Sequence, residues 1–514
     1  MNQKILFIVA SLFLSGCIHI SSYAPPALPT TAATAVPPPP TPILPSATPL
    51  PPTGTAVLPP TATSLPTNTA VPTPTAAPEL VRPHFTLDIA LDTTARTAQV
   101  TQTVTLRNDS GDDWEELVFN ISQAYWPGVF RLGAVAVTDS AGIQQAISYE
   151  LHNTMLHLRL PQPLLPDEQV VIQFDFDLSL PRLDPLGWGP EGNSGWEPDL
   201  IQMGDFYPAL VPYQSGSGWQ TWEFIAVGDP VINGLADYDV TITLAADYVV
   251  AAAGSSGSDN AGHHFHLEKA RSFAFLASSD YVRLDDVVAG IPVSVFVTRG
   301  YREMGLVVLQ TAVNALALFN QQYGPYPYPE LIIAENGFLT SNEYSGFISL
   351  GGYLFDTHNG GYDSLLVALT AHEIGHQWWY GGVGNDQVHE PWLDESLAMY
   401  SELIYYERYH PDLMDWWWQA RVDRWNPTGP ANATIYDYPD SATYVHNMYG
   451  RATYFIWDLR QTMGKEVFKT FLQAYFQQNR DQISTTEEFF ALAMAINGSP
   501  IDLSPLQQQY FKKQ

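Results

Sequence analysis

The sequence predicts a multidomain α+β protein, in which an N-terminal antiparallel β domain precedes a mainly helical domain. Hydrophobic residues alternate with period two in HFTLDIAL, QVTQTVTLRND and YDVTITL, and turn clusters such as NDSGDD and GSSGSDN separate these runs. Beyond about residue 300, apolar residues recur with helical spacing in longer segments. A chain of 514 residues also exceeds what one compact domain usually holds, which favours two folded domains.

The first residues have the layout of a bacterial lipoprotein signal. MNQKILFIVASLFLSGC contains Lys4, then an apolar run too short to remain in a bilayer as a spanning helix, then Leu-Ser-Gly-Cys. Those four residues resemble a lipobox, in which the cysteine is lipidated and becomes the mature N-terminus. We therefore predict a signal peptide over residues 1–16 and membrane attachment through Cys17. An ordinary secretory signal followed by a buried cysteine is the alternative. Because Cys17 is the one cysteine of the chain, no intramolecular disulfide can form.

Residues 17–83 are predicted to form a disordered stalk. The segment consists largely of Pro, Thr, Ala, Ser, Leu and Val, and no charged residue occurs between Lys4 and Glu79. Such a composition favours extended polyproline-like conformations over a packed core. The stalk and the signal together predict an extracytoplasmic protein held at a cell surface or membrane.

The folded region is predicted to divide at residues 285 and 286. The period-two runs place the β domain over residues 84–285, and the helical segments place the second domain over 286–514. Three helices are expected there, in YREMGLVVLQTAVNALALFNQQYG, DSLLVALTAHEIGHQWWYGG and DESLAMYSELIYYERYH. Gly324 with Pro325 should end the first, and Pro411 should end the third.

The net charge is strongly negative. With 22 basic and 53 acidic side chains the formal charge is −31, which argues against nucleic acids and anionic membrane surfaces as electrostatic partners. Solubility is the simplest reason for this acidity. The alternative is an acidic cleft that attracts cationic substrates.

One helical segment carries candidate metal ligands. In AHEIGHQWWY, His372 and His376 are four residues apart, so a helix presents both on one face and they can bind one ion. Glu373 would then lie near a metal-bound water and could accept its proton. Glu395, in PWLDES, is separated from His376 by eighteen residues, enough for a turn and a return on a neighbouring helix. It is the candidate third ligand, which leaves a fourth position for water.

The segments AHEIGHQWWYGGVGNDQ and EPWLDESLAMYSE closely resemble the aminopeptidase N family of gluzincin zinc metallopeptidases. The resemblance extends through YGPYPYPELIIAE and GDPVINGLADYDVTITL, over about residues 84–514. It implies a thermolysin-like catalytic domain in a short form of the family, without the C-terminal helical-repeat domain of larger members. It also implies one Zn²⁺ per chain, bound by His372, His376 and Glu395, with Glu373 as the catalytic base.

The same resemblance implies two further site residues. The family's Tyr-x-Lys-Gly-Ala motif, which supplies an oxyanion donor, aligns with Tyr449 and the three residues after it, with Tyr444 as the alternative. The family's Gly-x-Met-Glu-Asn motif, whose glutamate binds the substrate's α-ammonium, is matched by Glu343 within NGFLTSNEYSGFISL. Glu335, followed by Asn336, copies the final pair of that motif but lies closer to the Tyr-Pro segment.

Other polar residues are weaker candidates. Glu402, two turns after Glu395, either orients a ligand histidine or is a solvated helix residue. His389, His446 and the cluster at 263, 264 and 266 lie outside the zinc spacing, and surface or loop positions are expected for them.

We therefore predict a zinc aminopeptidase that acts on extracytoplasmic peptides. A zinc endopeptidase or a hydrolase of another small substrate is the second enzymatic hypothesis. A surface lipoprotein that binds peptides without cleaving them is the non-enzymatic hypothesis. It would predict the loss of a ligand or of the base, yet all four residues are present.

Overall fold

The computed structural model describes residues 82–138, 142–183, 193–259, 261–496 and 501–512. The predicted signal peptide, Cys17 and all but the last two residues of the predicted stalk lie outside the described residues.

The strands of the first half are β1 His84–Asp92, β2 Thr97–Arg107, β3 Trp114–Asn120, β4 Phe130–Thr138, β5 Gln144–Ala146, β6 Tyr149–His152, β7 Met155–Leu164, β8 Gln169–Ser179, β9 Ser194–Glu197, β10 Leu200–Met203, β11 Ala209–Leu210, β12 Tyr213–Gln214, β13 Gly218–Trp219, β14 Ala236–Thr243, β15 Val249–Ala252, β16 Ser255–Asp259, β17 Gly262–Ala270 and β18 Phe275–Ser278.

These strands form a β domain that is antiparallel except for one pair. An eight-stranded sheet has the order β16-β17-β14-β1-β2-β8-β4-β5, and two four-stranded sheets have the orders β11-β3-β7-β6 and β15-β18-β10-β9. Only β1 and β14 pair in parallel among the strands of this domain that the structure describes. The alternation of hydrophobic residues in the sequence corresponds to an alternation of buried side chains. Along β1 every second side chain, from Phe85 to Leu91, is buried in the core that the sheets share.

The second half contains one mixed sheet and most of the helices. The strands are β19 Tyr281–Val288, β20 Ile291–Thr298, β21 Leu331–Glu335, β22 Asn342–Tyr344 and β23 Phe347–Leu350, in the order β19-β20-β21-β23-β22. The helices are α1 Arg302–Gln322, α2 Gly352–Asp356, α3 Leu365–Gly375, α4 Trp392–Tyr409, α5 Met414–Arg421, α6 Ser441–Met463, α7 Lys465–Asn479, α8 Thr486–Ala495 and α9 Ser504–Tyr510. Short 3₁₀ segments occur at Ser122–Tyr125, Arg299–Tyr301, Pro411–Leu413, Asp423–Trp425 and Ile435–Asp437.

The division between the halves differs from the predicted one. The boundary at residues 285 and 286 falls inside β19, which pairs along its whole length with β20. β19 therefore belongs to the sheet of the second half, and the division lies before Tyr281. Its period-two pattern is the same as that of the preceding strands, so periodicity alone does not tell which sheet it joins.

By length and composition alone, the helix α1 is long and apolar enough to cross a membrane, within Arg299–Gln322. Half of its most apolar stretch is buried inside the protein. It packs under the second sheet and against α3, so its apolar face is the face of a core helix.

The helices α3 and α4 cross at a very short distance, and this contact fixes the geometry of the candidate metal ligands. A Cβ atom on Gly375 would lie 2.8 Å from the Cβ of Ser401 and 3.2 Å from the Cα of Ala398. No side chain larger than hydrogen fits there without separating the two helices.

We expect the Gly375→Ala variant to unfold at lower urea concentration, with a loss of about 1–3 kcal/mol from overpacking. Because α3 and α4 would move apart, its metal content after purification should also fall. Gly111→Ala is the matched control, since a Cβ at Gly111 meets nothing within 4 Å. Equal urea midpoints for the two variants would contradict the close packing of α3 on α4.

A buried arginine joins the β domain to the turn that follows α3. Arg271 follows β17 and is 3% exposed. Its guanidinium donates hydrogen bonds to the carbonyl oxygens of Tyr380 at 2.7 Å, Asn233 at 2.9 Å and Gln482 at 2.7 Å. One side chain of the β domain thus satisfies backbone acceptors in three separate segments, two of them in the second half.

Candidate metal centre

Three side chains with metal-ligand chemistry converge between α3 and α4. His372 lies in the last turn of α3, and His376 is the first residue beyond it. The helix is shorter than predicted: it ends at Gly375, and the amides of Gln377 and Trp378 then bond to carbonyl oxygens three residues back, as in turns. The amide of His376 still donates to the carbonyl of His372 at 3.2 Å, so the spacing of one helical turn is kept. Glu395 lies in the first turn of α4.

The ligand atoms lie at the spacing that a tetrahedral metal ion requires. The two Nε2 atoms of His372 and His376 are 3.1 Å apart, and Glu395 Oε2 lies 3.3 Å from the first and 3.6 Å from the second. In a tetrahedral zinc site with bonds near 2.0–2.1 Å, ligand atoms are separated by roughly 3.3 Å. All three side chains are buried, and Glu395 Oε2 has no hydrogen-bond donor among the described residues. The donor set therefore fits a divalent metal.

The remaining ring nitrogen of each histidine lies close to an oxygen atom. His376 Nδ1 lies 3.1 Å from the carbonyl oxygen of Trp379, and His372 Nδ1 lies 2.9 Å from Glu402 Oε1. A proton on each Nδ1 serves these contacts and leaves each Nε2 lone pair free for a metal. Of the two hypotheses for Glu402, the structure supports the orienting residue, because its side chain is fully buried.

Glu402 is itself held by two residues that the sequence analysis missed. Arg421 donates to both carboxylate oxygens, from Nη2 at 2.7 Å and from Nε at 2.8 Å, and Trp417 Nε1 donates to Oε2 at 3.0 Å. Both lie on α5, where the three consecutive tryptophans indicate only a buried helix and not a contact with a carboxylate. This bidentate pair keeps the Glu402 carboxylate charged despite its burial.

We expect the Glu402→Gln variant to bind zinc about 10–100-fold more weakly, because a neutral amide is a poorer acceptor for the ring N–H of His372. Competition with a chromogenic chelator measures the affinity. Glu407→Gln is the control: it lies on the same helix, pairs with Arg460 at 2.8 Å and does not touch the ligands. If both variants bind zinc as tightly as the unmodified protein does, Glu402 does not orient His372.

Glu373 lies beside the ligands without joining them. Its carboxylate, the Glu343 carboxylate and a His376 ring nitrogen lie within 4.8 Å of one another. Burial and the nearby carboxylates outweigh the two histidines and raise the pKa of Glu373 to about 8. Burial alone would raise the pKa of Glu395, but the adjacent imidazoles of His372 and His376 outweigh it and lower that pKa to about 2, as suits a group that stays anionic.

Tyr449, rather than Tyr444, reaches the ligand set. The Tyr449 hydroxyl donates a hydrogen bond to Glu395 Oε1, and its ring stacks on His372 with centroids 5.7 Å apart. Tyr444 lies earlier on α6, and its ring packs instead beside Gly228 of the β domain. A phenol next to the ligands can donate to a substrate oxygen once it leaves Glu395.

Glu343 lies next to the ligands on β22, the edge strand of the second sheet. Gln387 Nε2 bridges its carboxylate, at 3.3 Å, and that of Asp394, at 2.7 Å. Glu335 is placed elsewhere: its carboxylate accepts from the amide of Thr298 at 3.0 Å, outside the group around the ligands. Of the two candidate ammonium-binding carboxylates, only Glu343 lies in the site.

The other histidines lie outside this centre. His389 Nδ1 is 2.8 Å from Asp386, and the His446 ring stacks on Trp425. His264 and His266 lie on β17 and contact Asp259 and Asp239.

Comparisons with known proteins show what the helical half resembles. Residues 309–508 match the family model described as "Peptidase family M1 domain". The chain is 25% identical over 242 residues to Aminopeptidase M1 of Arabidopsis thaliana, and 23% identical over 238 residues to Endoplasmic reticulum aminopeptidase 1 of Homo sapiens. These matches include 43% and 41% of this chain, and 27% and 24% of the relatives, so the chain spans about a quarter of the length of the curated relatives it matches.

Solved structures share the fold over nearly all of their length. An M1 zinc metallopeptidase from Deinococcus radiodurans superposes with a TM-score of 0.60 at 18% identity, over 84% of this chain and 93% of that one. A point mutant of an M1 zinc metallopeptidase from the same organism, bound to a Tyr-Ser-Ala substrate, superposes with a TM-score of 0.59 at 16% identity, over 84% and 94% of the chains. The predicted fold class is confirmed, and residues 309–508, which match the peptidase family M1 domain model, follow a mainly antiparallel β domain.

Proposed function

We propose that this chain is a zinc aminopeptidase that removes N-terminal residues from peptides. The observation that carries this proposal is the buried group of His372, His376 and Glu395 at zinc spacing, with Glu373 and Glu343 adjoining it. The named relatives are aminopeptidases, and a similar solved protein binds a Tyr-Ser-Ala substrate. When bound, zinc supplies Lewis-acid activation of water and of the peptide carbonyl.

Three side chains of the protein bind the substrate, transfer the proton and stabilise the developing charge. Glu343 accepts hydrogen bonds from the substrate's α-ammonium, which places the first peptide bond beside Glu373. Glu373 takes a proton from the attacking water and returns it to the nitrogen of the leaving amine. Tyr449 releases Glu395 and donates its hydroxyl hydrogen bond to the carbonyl oxygen as negative charge develops there.

We expect the Tyr449→Phe variant to lose about 10²–10³ in kcat with little change in KM, because the lost donor acts on developing charge. The control is Tyr454→Phe on the same helix, where the hydroxyl contacts Asp423 at 2.6 Å and faces away from the ligands. Steady-state kinetics on one aminoacyl amide measure both. If Tyr444→Phe shows the loss and Tyr449→Phe does not, the assignment moves to Tyr444.

The reaction class is tested with paired aminoacyl amides, free and N-acetylated, using the full chain in detergent with and without a zinc chelator. Chelator-sensitive cleavage of only the free-amine set is the expected result. Cleavage of both sets would favour the zinc endopeptidase or broader hydrolase. No cleavage of either set by the zinc-loaded protein would overturn the proposal and favour a non-catalytic binding protein.

We also propose that the protein is an extracytoplasmic lipoprotein, attached through a lipidated Cys17 and held away from the membrane by the Pro/Thr-rich segment. The lipobox-like Leu-Ser-Gly-Cys after a short apolar run supports this proposal. Metabolic labelling with palmitate in a bacterial host should label the chain, and Cys17→Ser should abolish the label. Unlabelled protein in the soluble fraction would instead favour a secreted form.

A further inference from the structure

A small cavity beside Glu343 has an unusual chemical lining. It has a volume of about 180 Å³, room for one side chain rather than for a folded partner, and loops of the β domain close it against β22. Three carboxylates line it: Glu343, and Asp205 and Asp229 of the β domain. Among the described residues, no lysine or arginine lines it. The carboxylate charge is therefore not balanced from within the cavity.

The neutral groups in the cavity wall add acceptors. Gln123 and Asn342 line the cavity and are 0% and 7% exposed, and neither amide oxygen has a donor among the described residues. The Gly204 carbonyl fixes which end of the Gln123 amide faces it. Gln123 Nε2 donates to that oxygen at 3.4 Å, and because the amide oxygen cannot donate, the nitrogen must be on that side. Buried amide oxygens without donors are costly, so they point to a ligand that brings several N–H groups.

The two aspartates are held in place by the backbone around them. Asp205 has a left-handed φ of 47° and accepts from Asn193 Nδ2 at 2.8 Å. The loop that ends at Asp229 is fastened to the second half: Ser441 Oγ donates to the Ala226 carbonyl at 3.2 Å, and a Cβ on Gly228, whose φ is 63°, would lie 2.8 Å from the Tyr444 ring. In the described part of the chain, no hydrogen bond or ion pair engages the Asp229 carboxylate.

The arrangement does not suit an inorganic cation. Within the described residues, the groups close enough to share one metal ion are the zinc ligands and the set of Glu343, Glu373 and His376. Neither group includes Asp205 or Asp229, so these carboxylates belong to no three-ligand set among the described residues. The carboxylates and amide oxygens of the lining instead suit an organic cation with several N–H donors. Burial raises the pKa of Asp205 to about 6, and the negative charge of Glu343 adds to that shift. A second cation, in addition to the α-ammonium, would therefore stabilise the ionised form of Asp205.

We propose that this cavity is the pocket for a cationic N-terminal side chain, and that Asp229 with Asp205 makes the enzyme prefer peptides that begin with arginine. A guanidinium has five N–H donors and no acceptor, which matches a lining of carboxylates and amide oxygens. Lysine presents a smaller set of donors and ranks second. This inference rests on the proposed aminopeptidase function, in which Glu343 binds the α-ammonium, and it names the substrate class of that site.

The test compares arginyl, citrullinyl, lysyl and leucyl amides as substrates of the full, zinc-loaded chain. Citrulline has the shape of arginine without its charge. We expect kcat/KM for arginine to exceed that for citrulline by about 10–100-fold, the range of a charge-assisted hydrogen bond. Asp229→Asn and Asp205→Asn should each reduce this ratio about tenfold. Asp88→Asn, at an exposed position on β1, should leave the ratio unchanged.

Each other outcome has a distinct meaning. If the unmodified enzyme cleaves all four amides equally, the cationic pocket is wrong and the aminopeptidase proposal stands. If it cleaves none, the proposed function itself fails. If Asp229→Asn weakens every substrate equally, Asp229 binds the α-ammonium with Glu343 and the specificity assignment is wrong. Should a variant not fold, inhibition of the unmodified enzyme by free L-arginine and L-citrulline gives the same comparison, and equal inhibition constants overturn the pocket.

Discussion

Replacing Glu373 with glutamine should reduce kcat/KM by about 10²–10⁴ while the zinc content stays the same. The expectation follows from the position of Glu373, which adjoins the ligands without being one of them. Glutamine keeps the size of the side chain and can hydrogen-bond to water, but it cannot accept and return a proton. Kinetics on a free aminoacyl amide, with metal analysis of the same sample, measure both quantities.

Two comparisons make the Glu373 result interpretable. Glu303→Gln removes a carboxylate from the exposed first turn of α1 and should change neither rate nor metal content. A Glu373→Gln protein that also loses its zinc would show that Glu373 supports the ligands instead of the proton transfer. A variant with unchanged kcat/KM would remove Glu373 from the mechanism.

Replacing Arg421 with methionine should lower the free energy of unfolding by about 3–5 kcal/mol. The Glu402 side chain is completely buried, and Arg421 is the only arginine or lysine that reaches it, through two hydrogen bonds, among the residues the structure describes. Without the guanidinium, the carboxylate is left in a medium of low dielectric constant with Trp417 and His372 alone. The urea midpoint of the variant, followed by tryptophan fluorescence, reports the loss.

The exposed Arg408 offers the matched substitution for this experiment. It lies in the last turn of α4, and Arg408→Met should leave the urea midpoint nearly unchanged. The double variant Arg421→Met with Glu402→Gln should recover part of the stability, because it removes the unpaired charge as well. A single Arg421→Met variant as stable as the unmodified protein would contradict the burial of an obligatory ion pair.

The candidate metal ligands could be predicted from the sequence because their relation is local or nearly so. The spacing of His372 and His376 is a property of one helical turn, and Glu395 follows after a return that the intervening eighteen residues allow. The strands β1, β2 and β14 could be predicted in the same way, because hydrophobic residues alternate with polar ones when one face of a strand is buried.

The supporting residues could not be predicted in this way, because they come from distant parts of the chain. Arg421 and Trp417 reach Glu402 only through the packing of α5 on α4, and nothing in DLMDWWWQAR marks an ion pair. Asp205 and Asp229 meet Glu343 through loops of the other domain. The division before β19 was missed for a related reason, since pairing partners are decided by topology and not by periodicity.

The hydrogen bonds of Arg271 bear on how such a protein can be rearranged during evolution. Its guanidinium, carried by the β domain, caps the carbonyl oxygens of Tyr380 and Gly381 in the turn directly behind the histidine helix. A gene segment encoding only residues 281–514 would leave those buried oxygens without the donors of Arg271, and the turn after α3 without its anchor. Recombination that preserves the metal centre must therefore transfer both halves together.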